Sequence, residues 1–173
     1  MGTCNSTNDS ITIGNSNSAT GYYSTAMGAD TTASGDISTA MGENTTASGQ
    51  SSTAMGYETK AFGKSSTAMG NYTNASGLSS TAMGDFTTAY NDYSLSIGRQ
   101  NKSNQSKDNT AFVIGNGTDN NKRDAFKVSF NGEVKINDSY TLPITAGTSG
   151  QVLQTDGNGT LSWVNILPTT AGA

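Results

Sequence analysis

The residues that come closest to a chemical pattern are two carboxylates, Glu43 and Glu58, and one oxygen-rich segment, Asn116-Gly-Thr-Asp-Asn-Asn-Lys-Arg-Asp124. Glycoside cleavage needs a pair of carboxyl groups facing each other across a substrate. Glu43 and Glu58 instead fall at turn positions six and seven of adjacent 14-residue units, so both are expected at solvated corners. The 116–124 segment could hold Ca²⁺ but lacks the ligand spacing and closing Glu of an EF-hand loop, which makes it a polar turn. The chain has no histidine, which removes the commonest general base and metal ligand. Cys4 is the only cysteine, so neither an intrachain disulfide nor a Cys-His nucleophile can form. No catalytic residue, no metal ligand set and no cofactor site is expected.

What must be positioned, then, is a surface. The 173 residues are 32% apolar and 13% charged with a net charge of −4. Gly, Ser, Thr, Asn and Ala make up the difference, a composition that suits a flexible linker or a tightly wound β-coil equally well. Lys122-Arg123 is the only adjacent basic pair, so nothing resembles a nucleic-acid footprint. No apolar run approaches the length of a membrane span, and no secretory signal opens the chain. For a surface protein that combination suggests a fragment of a longer fibre, or a particle component assembled in the cytoplasm.

Periodicity decides between linker and coil. Ser-Thr-Ala-Met-Gly stands at 24–28, 38–42, 52–56, 66–70 and 80–84, and the frame extends to Ser10–Gly14 and Ser94–Gly98. Seven consecutive 14-residue units therefore cover residues 10–107. A weaker half-copy follows seven residues into each unit, as in Ala33-Ser-Gly35, Ala47-Ser-Gly49, Ala61-Phe-Gly63 and Ala75-Ser-Gly77. Repeated Gly and Thr penalise a helix, whereas two short strands per coil, each closed by a Gly-containing turn of positive φ, fit. Coils stacked about 4.8 Å apart would make a rod on the order of 34 Å long.

Strand alternation assigns the faces. A 14-residue coil has a narrow interior, suited to the alanine rows 26, 40, 54, 68, 82 and 33, 47, 61, 75, 89. The outward face of the second strand tolerates Lys60 and Asn74 and is expected to be wet. The outward face of the first carries Ile13, Met27, Met41, Met55, Met69, Met83 and Ile97. Such a row is a patch that a soluble monomer rarely leaves exposed. Burying each side chain is worth ~1.5–3 kcal/mol, a strong drive to associate. The alternative places Met in the core and Ala outside.

These motifs resemble the head of trimeric autotransporter adhesins, the YadA-like left-handed parallel β-roll, which repeats Ser-Val-Ala-Ile-Gly with a second Ala-x-Gly half. The resemblance covers residues 10–107 and implies an intertwined homotrimer with the apolar row facing its threefold axis. In this chain Met replaces the usual Ile in five units and Thr replaces Val, which implies a softer interface.

Beyond the repeat, Ala111-Phe-Val-Ile-Gly-Asn-Gly117 echoes the unit after a three-residue insertion. Phe126–Phe130 and Glu133–Ile136 flank Asn131-Gly132 and predict a hairpin with a two-residue type I′ turn. Gln151–Gln154 and Gly159–Val164 bracket a second turn at Asp156-Gly157-Asn158. The expected organisation is a flanking segment at 1–9, head repeats at 10–107, a transition coil and hairpin at 108–137, and a β-rich connector at 138–173. Residues 108–137 and 140–164 resemble segments of phage and bacterial trimeric tail-fibre proteins.

The expected function is non-catalytic attachment by a surface fibre on a cell or virion, through a glycan or protein ligand. Tyr57, Phe62, Tyr72, Phe86, Tyr90 and Tyr93 are aromatic at otherwise small or polar positions, which makes them candidate ligand contacts. A structural spacer without a ligand is one alternative. An ice-binding solenoid is another, although the Thr32, Thr46, Lys60, Asn74, Thr88 row is interrupted and the Thr25, Thr39, Thr53, Thr67, Thr81 row shares its face with the methionines.

Overall fold

Along Ser24-Thr-Ala-Met, alternation puts Ala26 on one side of the backbone and Thr25 and Met27 on the other. The computed structural model describes residues 3–5, 8–102 and 108–166. In it this strand spans Thr25–Ala29 and recurs once per unit: Ser10–Asn15, Thr39–Glu43, Thr53–Tyr57, Thr67–Asn71, Thr81–Asp85 and Leu95–Arg99. Each pairs in parallel with the next without slippage, so Ala26 faces Ala40, Met27 faces Met41 and Gly28 faces Gly42. Two-residue strands, from Ser18–Ala19 to Thr88–Ala89, form a second parallel sheet of six. The result is a parallel β-solenoid of 14-residue coils.

Both alanine rows are inside, essentially without solvent contact. They share the interior with two hydroxyl rows that the repeat pattern did not single out: Ser24, Ser38, Ser52, Ser66, Ser80 and Thr31, Thr45, Thr59, Thr73, Thr87, all fully buried. Small side chains at four positions per coil let the two sheets close on each other. At the ends the hydroxyls are satisfied: Ser10 Oγ donates to Ala19 O and Ser24 Oγ to Gly21 O. In the middle coils Ser38, Ser52, Ser66, Ser80, Thr45, Thr59, Thr73 and Thr87 have no hydrogen-bond partner among the described residues.

The corners differ from the expectation that glycine supplies every positive φ. Gly28 and its equivalents do, at φ 94 to 127, but Gly21, Gly35, Gly49, Gly63 and Gly77 do not. Those five are glycine because a Cβ there would overlap the carbonyl of the next coil. Left-handed backbone falls instead on the seventh and fourteenth residues, whatever their side chain: Asp30, Asn44, Glu58, Tyr72 and Phe86 at one corner, Tyr23, Ile37, Ser51, Ser65, Ser79 and Tyr93 at the other. Inter-coil bonds hold them there, as where Asp30 N donates to Asn15 O and Ile37 N to Tyr22 O.

Asparagines close both ends of the stack. Asn17 occupies the place of the buried threonine in the first coil. Its amide donates to Ile13 O and Gly28 O while its Oδ1 accepts from Thr31 N and Oγ1. Asn101 does the same at the last coil, accepting from Thr88 N and donating to Thr88 O. Strand Thr3–Asn5 lies antiparallel across Ser10–Asn15. Residues 103–107, the end of the seventh unit, lie outside the described residues.

The repeat then resumes once: Thr110–Asn116 pairs in parallel with Leu95–Arg99, aligning Ile114 with Ile97. Asp124–Ser129, Val134–Ile136 and Tyr140–Thr141 continue the sheet in antiparallel order. The first hairpin exists, but its turn is not type I′. Gly132 has φ 86 while Asn131 is not left-handed, and Gly132 N donates to Ser129 O while Ser129 N donates to Glu133 O. That is a three-residue loop with glycine at the left-handed place, the next most common hairpin geometry. The second hairpin pairs Gln151–Thr155 with Leu161–Asn165, and Trp163 Nε1 donates to Thr145 O.

Candidate functional site

The solenoid presents two broad faces and two corners, and the expected contact residues are spread over all four. Ile13, Met27, Met41, Met55, Met69, Met83 and Ile97 align in direct register on the outward face of the larger sheet. Ala, not Met, fills the core. In the single chain the row is half-buried to partly exposed, with Ile13 43% and Met69 38% accessible. Stacked thioethers shield one another along the row but have nothing above them. Thr25, Thr39, Thr53, Thr67 and Thr81 flank them on the same face.

The six aromatic candidates do not form one cluster. Tyr57, Tyr72 and Phe86 meet at the corner after the larger strand. Tyr57 packs edge-on against Tyr72 with centroids 5.5 Å apart, and Tyr72 stacks on Phe86 at 4.5 Å. Tyr72 Oη donates to Glu58 Oε1 at 3.0 Å; the Glu58 carboxylate, with a further contribution from Tyr57, pushes the Tyr72 phenol up to about 12. Phe62 and Tyr90 lie elsewhere, on the outward face of the smaller sheet, with Ser76 between them in the stack. Tyr93 stands at the opposite corner, exposed.

The groups weighed for catalysis are dispersed or occupied. Glu43 is exposed at a corner, and Glu58 accepts from Tyr72 Oη. In the 116–124 loop, Asp119 accepts from Gln100 Nε2 and Asp124 from Lys102 N. No three potential metal-ligating side chains converge among the described residues.

The junction after the repeat does carry perturbed carboxyls. Burial pushes Asp124 up to about 6, with the neighbouring Asp138 charge adding to it and the Lys102 amide opposing it. Burial would raise Asp108 too, but hydrogen bonds from Lys127, Thr110 and Asn91 outweigh it and hold this carboxyl well below the usual range. Lys127 Nζ sits 2.8 Å from Asp108 Oδ2. These groups tie strand Asp124–Ser129 to the last coil, a structural task.

No helix among the described residues is long and apolar enough to cross a membrane. The model of the YadA head domain repeat, taken two copies at a time, matches residues 8–31, 19–45, 33–59, 47–73 and 75–101. Together these spans cover more than half of the chain. No curated protein sequence matches it. YadA-family heads are trimeric, non-catalytic, surface-exposed adhesin modules, and a solenoid with an alanine-filled interior is consistent with that role. The chain belongs to the YadA head-repeat family.

Proposed function

We propose that the protein is the head of a homotrimeric surface adhesin, in which the Ile13–Ile97 apolar row of each chain is covered by its two sister chains. The carrying observation is that row. It is straight, in register over seven coils and only partly shielded within one chain. Seven such side chains, each worth ~1.5–3 kcal/mol when buried, favour association strongly. Trimerisation leaves the smaller sheet and the variable corners facing outward, where a glycan or protein on a target surface can be met. The strands after residue 108 join the head to the rest of a fibre, on a cell or a virion.

Light scattering of the dilute protein tests the reading. A folded species of three times the 17.7 kDa chain mass supports it, and Met55→Glu with Met69→Glu should reduce that mass to one chain. A β-folded wild-type monomer would remove the reading and leave the Thr/Met face open to water. Trimers that adhere to no cell or surface would instead favour a spacer.

A further inference from the structure

Among the described residues, buried side-chain oxygens without a partner fall into two groups. The serine and threonine rows point into the coil, where no ligand can follow. Asn74 Oδ1 and Ser76 Oγ are also shielded and unpartnered, yet by alternation with the buried Ala75 they belong to the outward face of the smaller sheet. Buried polar atoms of this kind call for an explanation, such as a water or ligand that completes them.

Their surroundings are just as unusual. The row containing Ser76 reads Thr20, Ser34, Ser48, Phe62, Ser76, Tyr90. Its only two aromatic residues stand one rung below and one rung above Ser76, so about 10 Å separates their attachment points. The ladder is continuous there: Phe62 N donates to Ala75 O and Ser76 N to Ala89 O. Phe62 is 45% and Tyr90 38% exposed. Beside them run Lys60, Asn74 and Thr88, paired across successive rungs, and Lys60 is the only basic residue of these outward rows.

We propose that Phe62 and Tyr90, bracketing Ser76 and Asn74, form a saccharide-binding subsite on the face opposite the methionine row. Aromatic walls with hydroxyl, amide and ammonium groups between them match a sugar ring. Its C–H face packs on an aromatic surface while its hydroxyls bond the polar atoms beneath. Both oxygens are shielded in the free chain, so the side chains over them shift when the ligand enters. Asn74 Oδ1 then accepts from a sugar hydroxyl, Ser76 Oγ does either, and Lys60 donates to a hydroxyl or carboxylate. The corner stack of Tyr57, Tyr72 and Phe86 lacks such a floor, because its rings cover one another. The inference rests on the adhesin reading and names its ligand class.

The repeat supplies clean variants, since Phe62→Ser and Tyr90→Ser restore the residue found at Ser34 and Ser48. The assembled protein is applied to a printed array of neutral and acidic oligosaccharides, and the brightest is titrated by calorimetry. Each variant should lose at least tenfold in affinity at unchanged native mass, while Ser34→Ala, in the same row but away from the aromatic pair, should bind as wild type does. Absence of any bound oligosaccharide, or equal binding by both serine variants, would overturn the subsite. Trimers that still adhere to cells after both substitutions would overturn it while leaving the adhesin reading intact; a monomeric wild type would undo that reading instead.

Discussion

Gly77 and Asn91 hold the same place in successive coils, and the Asn91 carbonyl lies where a Cβ on Gly77 would have to be. Each of Gly21, Gly35, Gly49 and Gly63 is confined in the same way by the residue one coil on. Asn91 itself carries a side chain, whose amide donates to Asp108 Oδ1 and Thr110 O where the repeat resumes. Glycine is thus demanded by the coil overhead rather than by the local backbone angle.

Gly49→Ala should therefore cost about 3 kcal/mol or more, among the severe class of single substitutions, because the obstacle is backbone that cannot move aside. Urea unfolding followed by circular dichroism would show the midpoint shift. A shift as small as that of an exposed Ser48→Ala control would contradict the close approach.

The asparagine caps predict a local loss. Asn101→Ala removes both bonds to Thr88 and should cost about 1–3 kcal/mol. Hydrogen exchange should accelerate in the last coil, at Thr88 N above all, and leave the Ala54 region unchanged.

Two interior rows should respond in opposite directions. Thr59 Oγ1 is buried without a partner, so Thr59→Val removes a desolvated hydroxyl at nearly constant shape and is expected to be neutral or stabilising. Ala54 has no solvent contact, and Ala54→Val adds volume to a filled coil, at a cost of about 1–3 kcal/mol. Paired thermal melts would decide.

The junction carboxyls set a pH dependence. Asp124 has a folded value near 6 against an ordinary value of 3.8, so the native state holds a proton that the unfolded chain releases. Its stabilising share is present below about pH 4 and is lost as pH rises to about 6. Asp108, lowered by Lys127, Thr110 and Asn91, works the other way and loses its share as pH falls below the ordinary carboxylate range. The groups facing Asp124 are Lys102, Lys127, Asp108 and Asp138. Asp124→Asn should abolish the decline between pH 4 and 6, read as the unfolding midpoint across that range.

Much of the architecture was legible because the unit recurs without an insertion. Ala26 and Met27 alternate, only one fits a narrow coil, and the buried alanine rows agree. The hydroxyl rows escaped notice because Ser24 and Thr31 look like surface residues by type, and only closure of the coil reveals that they point inward. The left-handed corners were hidden for the opposite reason. Tyr72, Phe86 and Ile37 are poor residues for positive φ, and inter-coil hydrogen bonds impose it on them regardless of side chain. The turn at Asn131-Gly132 has the dipeptide of a two-residue hairpin, but pairing of Ser129 with Glu133 adds a residue to the loop. As candidate contacts the six aromatics were visible singly; their division between a corner stack and a bracketed serine depends on which rung and which half of the unit each occupies.

Because every coil meets the next through the same register and the same small side chains, one coil is interchangeable with another. Duplication or loss of a whole unit in the gene would lengthen or shorten the fibre by a fixed step, with no new interface to evolve. Insertions of any other size inside the stack would push a coil out of step with its neighbours; the three-residue insertion before Ile114 stands at its end, where antiparallel strands take over. How far such a head stands off its surface can therefore change only in whole quanta, like the marks on a ruler.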